Sequence, residues 1–132
     1  NLINQLKLDP YVILTGHHPD PAPFFKAMDI MVLPSYSGEA TSQVLPQAML
    51  MGKPVISTNI GGLSEVVINN KTGLVVPSKD SFAIANAIES LYKDEELRNK
   101  LATNGKKHAM THFTFERMIE ITDSVYKDLI KS

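Results

Sequence analysis

The sequence predicts an α/β chain: a doubly wound parallel sheet of about four strands with helices on both faces, followed by a C-terminal third built only of helices. Two observations carry this. Up to Asp80, short β-branched runs alternate with short amphipathic stretches, and Gly, Pro or Ser closes most of them. Beyond Asp80 the apolar residues recur at helical spacing only. Strands separated this regularly by helices pair in parallel, and a parallel sheet needs both faces covered.

Taken in order, Leu2, Ile3 and Leu6 read as the tail of a helix begun before residue 1. Tyr11 to Leu14 is an apolar run closed by Thr15-Gly16 and reads as the first strand. A loop through His17, His18, Pro19, Asp20 and Pro21 leads to a short helix from Ala22 to Lys26. Ile30 to Leu33 is a second strand, stopped by Pro34-Ser35. A helix from about Ser42 to Met51 follows, with Leu45, Ala48 and Met49 facing inward; Pro46 is tolerated because it falls in the opening turn. Val55 to Ser57 is a third strand, Gly61-Gly62 opens a short helix through Val67, and Gly73 to Pro77 is a fourth strand. Asp80 or Ser81 caps a helix through Leu91 whose apolar face is Phe82, Ile84, Ala85, Ala87, Ile88 and Leu91. A second helix from about Asp94 carries Leu97, Leu101, Ala102 and Ala109 to His112, and Thr114 caps a third with Met118, Ile121, Val125, Tyr126 and Leu129 in phase.

Composition excludes several classes. With 132 residues, 43% hydrophobic and 20% charged, the chain is one globular domain's worth and not a disordered one. A net charge of −1 with no basic stripe gives no footprint for nucleic acid. No cysteine means no disulfide, thiolate metal site or cysteine nucleophile, and fits a cytoplasmic setting. No apolar run is long enough to span a bilayer, and the polar start is not a signal peptide.

The most informative stretch runs from Gly38 to Ser57. An acidic residue, Glu39, sits on a turn just before a helix, and that helix ends in Gly52-Lys53-Pro54 and feeds a strand. The first turn of such a helix offers unpaired amides and the positive end of its dipole, a seat for phosphate. Glu39 at the same mouth is placed to hold hydroxyl groups of whatever carries that phosphate.

The series Ala27 to Ser35, Glu39-x7-Gln47-Ala48-Met49, Gly52 to Ile56, Gly61-Gly62-x-x-Glu65 and Thr72 to Pro77 resembles the C-terminal domain of retaining glycosyltransferases of the GT-B fold, the group 1 family. The closing Phe113 to Glu116 and Val125-Tyr126 resemble that family's terminal helix. The resemblance implies a Rossmann-like donor domain, present in part: residues 1–132 would lack its first strand–helix–strand unit, with an Arg and a Lys that clamp the diphosphate, and the acceptor-binding N-terminal domain. Glu39, the first acid of the family's Glu-x7-Glu motif, would be the residue of the catalytic centre that bonds donor-sugar hydroxyls. The amides of Ala40, Thr41, Ser42 and Gln43 would face sugar and diphosphate, where the family often has a glycine-rich run; Thr41 or Ser42 would add a hydroxyl contact or serve as N-cap. Gln47 stands where the family has its second Glu, and would anchor the ribose without charge assistance. Gly16, His17 and His18 would lie beside the base, and the loops after the first three strands would converge on one crevice at the sheet's carboxyl edge.

On the same terms the expected reaction is transfer of a sugar from a nucleotide diphospho-sugar to an acceptor hydroxyl with retention, through a front-face step and without a cofactor or divalent metal. Glycan, lipid or small-molecule acceptors would be held by the absent domain, peripheral membrane association belongs to the full enzyme, and the isolated chain is expected to be inactive. The alternatives are a non-catalytic nucleotide-sugar or protein-binding module and a GT-B sugar-nucleotide epimerase. Plainer roles are also read from the residues: Lys53 as a partner of helix-end carbonyls, Gly61-Gly62 equally as a turn or a close approach to ligand, His17-His18 as solvated loop residues, Glu65 as a surface acid, and Asp20, Asp29 and Asp80 as turn or cap residues.

Overall fold

The computed structural model describes residues 2–131. Its elements are α1 (Leu2–Gln5), α2 (Ala22–Ala27), β1 (Met31–Leu33), α3 (Val44–Leu50), β2 (Val55–Thr58), α4 (Leu63–Val66), β3 (Leu74–Val76), α5 (Ser81–Lys93), α6 (Glu95–His112) and α7 (Phe115–Lys131). The three strands are parallel and lie in chain order, β1-β2-β3, with Met31 opposite Val55 and Ile56 opposite Leu74.

Period-two alternation sorts the strand side chains onto two faces, and each face has its own core. Met31, Leu33, Val55 and Val75 pack with Leu45, Ala48 and Met49 of α3, Leu63 and Val66 of α4, and Ala109 of α6. Val32, Ile56, Leu74 and Val76 pack on the other face with Ala87 and Leu91 of α5 and Leu97 and Leu101 of α6. The long α6 thus serves both cores. Leu45, Met49, Ile56, Leu91 and Leu101 are fully enclosed, and burial of each such side chain contributes about 1.5–3 kcal/mol. All of β2 is buried, as the central strand of a sheet covered on both faces must be.

Four expectations need correction. Tyr11 to Leu14 forms no strand, so the sheet has three strands and not four among the described residues. The amides of Tyr11 and Val12 close a turn onto the Leu8 carbonyl, at 2.9 and 3.0 Å, and Tyr11, Ile13 and Leu14 are exposed. A β-branched run supplies propensity only; a strand also needs a neighbour to complete its ladder. Second, α3 starts at Val44, not Ser42, because Gln43 is the N-cap and its carbonyl accepts the first helical bond from Gln47. Third, neither Thr41 nor Ser42 caps it: no side chain bonds the opening turn, and Pro46 removes one amide from it. Fourth, Phe82 is 82% exposed and Ala85 and Ile88 are also exposed, so the apolar face of α5 narrows to its buried Ala87 and Leu91 and half-buried Ala83 and Ile84.

The remaining elements fall within a few residues of expectation. Asp80 caps α5 through Ala83 N at 2.9 Å, Asp94 caps α6 through Leu97 N at 2.8 Å, and the Thr114 hydroxyl accepts from Arg117 N at the start of α7. No described helix is long and apolar enough to cross a membrane.

Candidate functional site

Because the strands are parallel, the loops 34–43, 59–62 and 77–80 all leave the same edge of the sheet. Asn59 ties two of those exits together: its amide donates to the Val76 carbonyl at 3.0 Å, and its Oδ1 accepts from Ser78 N at 3.1 Å. The loop 34–43, which carries Glu39, is neither helix nor strand. Side chains and a neighbouring backbone therefore have to give it a shape.

They do so at three points. The Ser35 hydroxyl donates to Glu39 Oε1 at 2.8 Å. Thr58, the last residue of β2 and 1% exposed, donates through Oγ1 to the Ser35 carbonyl at 2.5 Å. The Gly62 amide donates to the Ala40 carbonyl at 2.7 Å. The last contact explains Gly61-Gly62. A Cβ on Gly61 would lie 2.9 Å from the Glu39 carbonyl carbon and closer still to its oxygen, and one on Gly62 would lie 3.0 Å from Thr41 Cγ2 with the Ala40 oxygen nearer again. Gly61 also has φ +53, where a side chain is disfavoured. The two glycines thus make a turn and a close approach together, and the group approached is the Glu39 loop.

Glu39 and Ser42 are half-buried; Ala40, Thr41, Gln43 and Gln47 are exposed. The amides of Ala40, Thr41, Ser42 and Gln43 bond to no described acceptor. They form a short irregular run of donors beside a carboxylate, an arrangement able to meet an anion and a polyol at once. Gln43 lines a hollow of about 480 Å³ at the corner between α6 and α7, with His112, Phe113 and Phe115. Gln47 lines another of about 330 Å³ with Asp20, Pro21 and Phe25. Gly16, His17 and His18 line a third of about 390 Å³ whose far wall includes Val44, the first residue of α3. The structure therefore brings the residue 16–18 loop to the opening of α3, and Asp20 to Gln47. It joins the 34–43 and 59–62 loops directly.

The other candidates have local duties. His18 bonds the Thr15 carbonyl through Nε2 at 2.8 Å and tilts its ring against Phe24. Asp20 Oδ1 accepts from Ala22 N at 3.0 Å, a turn residue as expected. Lys53 Nζ donates to the Lys26 carbonyl at 3.1 Å, so the helix end it satisfies is that of α2 and not of its own α3. Sequence reasoning assigned no role to Ser35 or Thr58. The signal was present in Ser35, a hydroxyl four residues before Glu39 at a strand exit, but the Thr58 contact spans 23 residues and has no local signature.

Comparison with known proteins bears on what this edge is for. Residues 1–108 match the glycosyl transferases group 1 family. The capsular polysaccharide biosynthesis glycosyltransferase CapM of Staphylococcus aureus is 35% identical over 126 residues, covering 96% of this chain and 33% of that protein. Sucrose-phosphate synthase from Thermosynechococcus elongatus superposes with a TM-score of 0.89 at 32% identity, over 98% of this chain and 33% of that one. Anabaena Alr3699/HepE, solved in complex with UDP, superposes with a TM-score of 0.88 at 26% identity, over 98% of this chain and 35% of that one; it has also been solved with UDP-glucose. The chain spans a quarter to a third of the length of the curated relatives it matches. With its parallel sheet, helices on both faces and helical C-terminal part, this chain belongs to the group 1 glycosyltransferases of GT-B fold.

Proposed function

We propose that this chain carries the donor site of an enzyme that moves a sugar from a nucleoside diphospho-sugar to an acceptor hydroxyl with retention of anomeric configuration. The observation that supports it most is the likeness, along 98% of the chain, to a protein solved with UDP and with UDP-glucose. Glu39 accepts hydrogen bonds from hydroxyls of the donor sugar. The amides of Ala40 to Gln43 face the sugar and diphosphate, Gln47 bonds the ribose, and Gly16, His17 and His18 flank the base.

In the transfer step the acceptor oxygen bonds to the anomeric carbon on the face from which the diphosphate departs. The bond between anomeric carbon and phosphate oxygen breaks, its electron pair stays with the diphosphate, and that oxygen takes the acceptor proton. Charge develops on the leaving group, so donors fixed beforehand near it lower the barrier. Residues 39–47 supply amides and no cation. In this reading the cationic clamp and the acceptor site come from other parts of a longer enzyme, no divalent metal is needed, and this chain alone transfers no sugar.

Titration of the 15N-labelled chain with UDP and with UDP-glucose tests the site. Shifts at the amides of residues 39–45, 47 and 16–18, unchanged by EDTA, are expected; silence at those amides with both ligands overturns the assignment. Release of UDP with sugar transfer by this chain alone would overturn the inactivity.

A further inference from the structure

The loop that holds Glu39 has no regular hydrogen bonds of its own, yet the carboxylate is not left to its rotamers. We propose that Ser35 is a positioning residue that orients the Glu39 carboxylate toward the donor sugar, and that Thr58 holds Ser35 in turn. The inference rests on the assignment of Glu39 to sugar hydroxyls.

The chain of contacts starts in the buried centre of the sheet. Thr58 ends β2, the only strand with neighbours on both sides among those described, and its hydroxyl donates to the Ser35 carbonyl at 2.5 Å. Ser35 follows β1 by one residue, Pro34, whose own φ is fixed by its ring. Its hydroxyl donates to Glu39 Oε1 at 2.8 Å, the length of a good O–H···O bond. Oε2 bonds to no described residue, so one carboxylate oxygen is tied to the sheet and the other is presented at the loop surface. Across the loop the Gly62 amide holds the Ala40 carbonyl, so the residue after Glu39 is pinned too. A carboxylate fixed in advance loses less entropy when it accepts bonds from a polyol. Loss of the Ser35 hydroxyl returns that cost to the binding step.

Immobilising one rotamer-rich side chain corresponds to roughly 2- to 12-fold in affinity. The Ser35→Ala variant is expected to bind UDP-glucose that much more weakly than wild type while binding UDP, which has no sugar to meet Glu39, within about twofold of wild type. Ser35→Thr, which keeps the hydroxyl, restores the wild-type ratio of the two dissociation constants. A purely structural role for Ser35 would weaken both ligands together, and that outcome overturns the proposal. If Ser35→Ala does not fold, Ser35→Cys carries the same comparison, since a thiol fills the space but donates weakly. Glu39→Gln separates the two levels of argument. If Glu39→Gln collapses the ratio and the Ser35 variants do not, positioning by Ser35 is refuted and the role of Glu39 stands; if Glu39→Gln leaves the ratio unchanged, the contact of Glu39 with sugar is refuted and the role of Ser35 falls with it.

Discussion

Gly62→Ala is the sharpest perturbation of the Glu39 loop, because it adds a contact without adding backbone strain. Gly62 has φ −78 and ψ 4, close to a type I turn geometry that most residues accept. The new Cβ would instead meet the Ala40 carbonyl, with its carbon at 3.2 Å and its oxygen nearer, and Thr41 Cγ2 at 3.0 Å. Relief requires the two loops to part, which also breaks the 2.7 Å bond from Gly62 N to Ala40 O. Overpacking costs about 1–3 kcal/mol and the lost bond about 0.5–1.5 kcal/mol. Alanine's smaller unfolded-state entropy returns about 0.4–1 kcal/mol, leaving a net destabilisation of about 0.5–4 kcal/mol. At an m-value of about 2 kcal/mol/M this lowers the urea midpoint by roughly 0.25–2 M.

Two neighbours make the experiment internally controlled. Gly38 has φ +75 and nothing within 4 Å of a Cβ, so Gly38→Ala is charged for conformation alone, about 1–2 kcal/mol before the same entropic return. Gly61→Ala combines φ +53 with the clash against Glu39, and is the most damaging of the three. The expected order of urea midpoints is therefore Gly38→Ala above Gly62→Ala above Gly61→Ala. A Gly62→Ala variant as stable as wild type would show that the two loops do not touch, and the shaping of the Glu39 loop by the turn after β2 would be lost with that contact.

Three further outcomes can be checked. Met49→Ala empties a fully buried position between α3 and the sheet and is expected to cost about 2–5 kcal/mol by urea unfolding. Thr72→Val keeps the volume of a buried side chain but removes the partly buried bond from the Ile68 amide to Thr72 Oγ1 at 2.9 Å, for a loss of about 0.5–1.5 kcal/mol by the same measurement. The pKa of His108 is pushed below 6.5 by desolvation and, secondarily, by His112, whose ring centroid is 4.6 Å away. A lowered folded-state pKa means that the unfolded chain protonates first, so the contribution is fully present above pH 6.5 and is lost as pH falls through 6.5 toward the lower folded value. His108→Leu, which replaces a buried Nε2 that has no partner among the described residues, is expected to be less acid-sensitive than wild type when unfolding free energies at pH 7.5 and 5.5 are compared.

The fold was largely legible because its signals are local. Asp80 and Asp94 sit where an N-cap is needed, and each accepts from the amide three residues on. Leu45, Ala48 and Met49 share a helix face by spacing, and the structure encloses all three. The failures came where the deciding partner is remote. Tyr11 to Leu14 has the composition of a strand, and only the absence of a paired neighbour tells otherwise. Phe82 lies on the apolar stripe by periodicity, yet that edge of α5 faces away from the sheet.

The site divides along the same line. Glu39 and the amides after it became candidates because a helix start with an acid before it is written in consecutive residues, while Gln47 became one only through the resemblance to the family motif. What gives the loop its shape could not: Thr58 reaches back 23 residues and Gly62 reaches back 22, from a strand and a turn whose own sequence says nothing of Glu39. The correction at α3 sharpens the point. Its late start at Val44, the prolyl gap at Pro46 and a length of seven residues leave its dipole a small part of any anion site. On the proposed donor site, the burden of meeting a diphosphate would then shift to the irregular amides of residues 40–43, where the Gly62 bond to the Ala40 carbonyl holds the backbone. In such a site binding strength follows loop order more than helix length. A change at Gly62, which need touch no ligand, should therefore matter more to diphosphate binding than lengthening α3 by two residues, whereas loss of the Ser35 hydroxyl should be felt at the sugar.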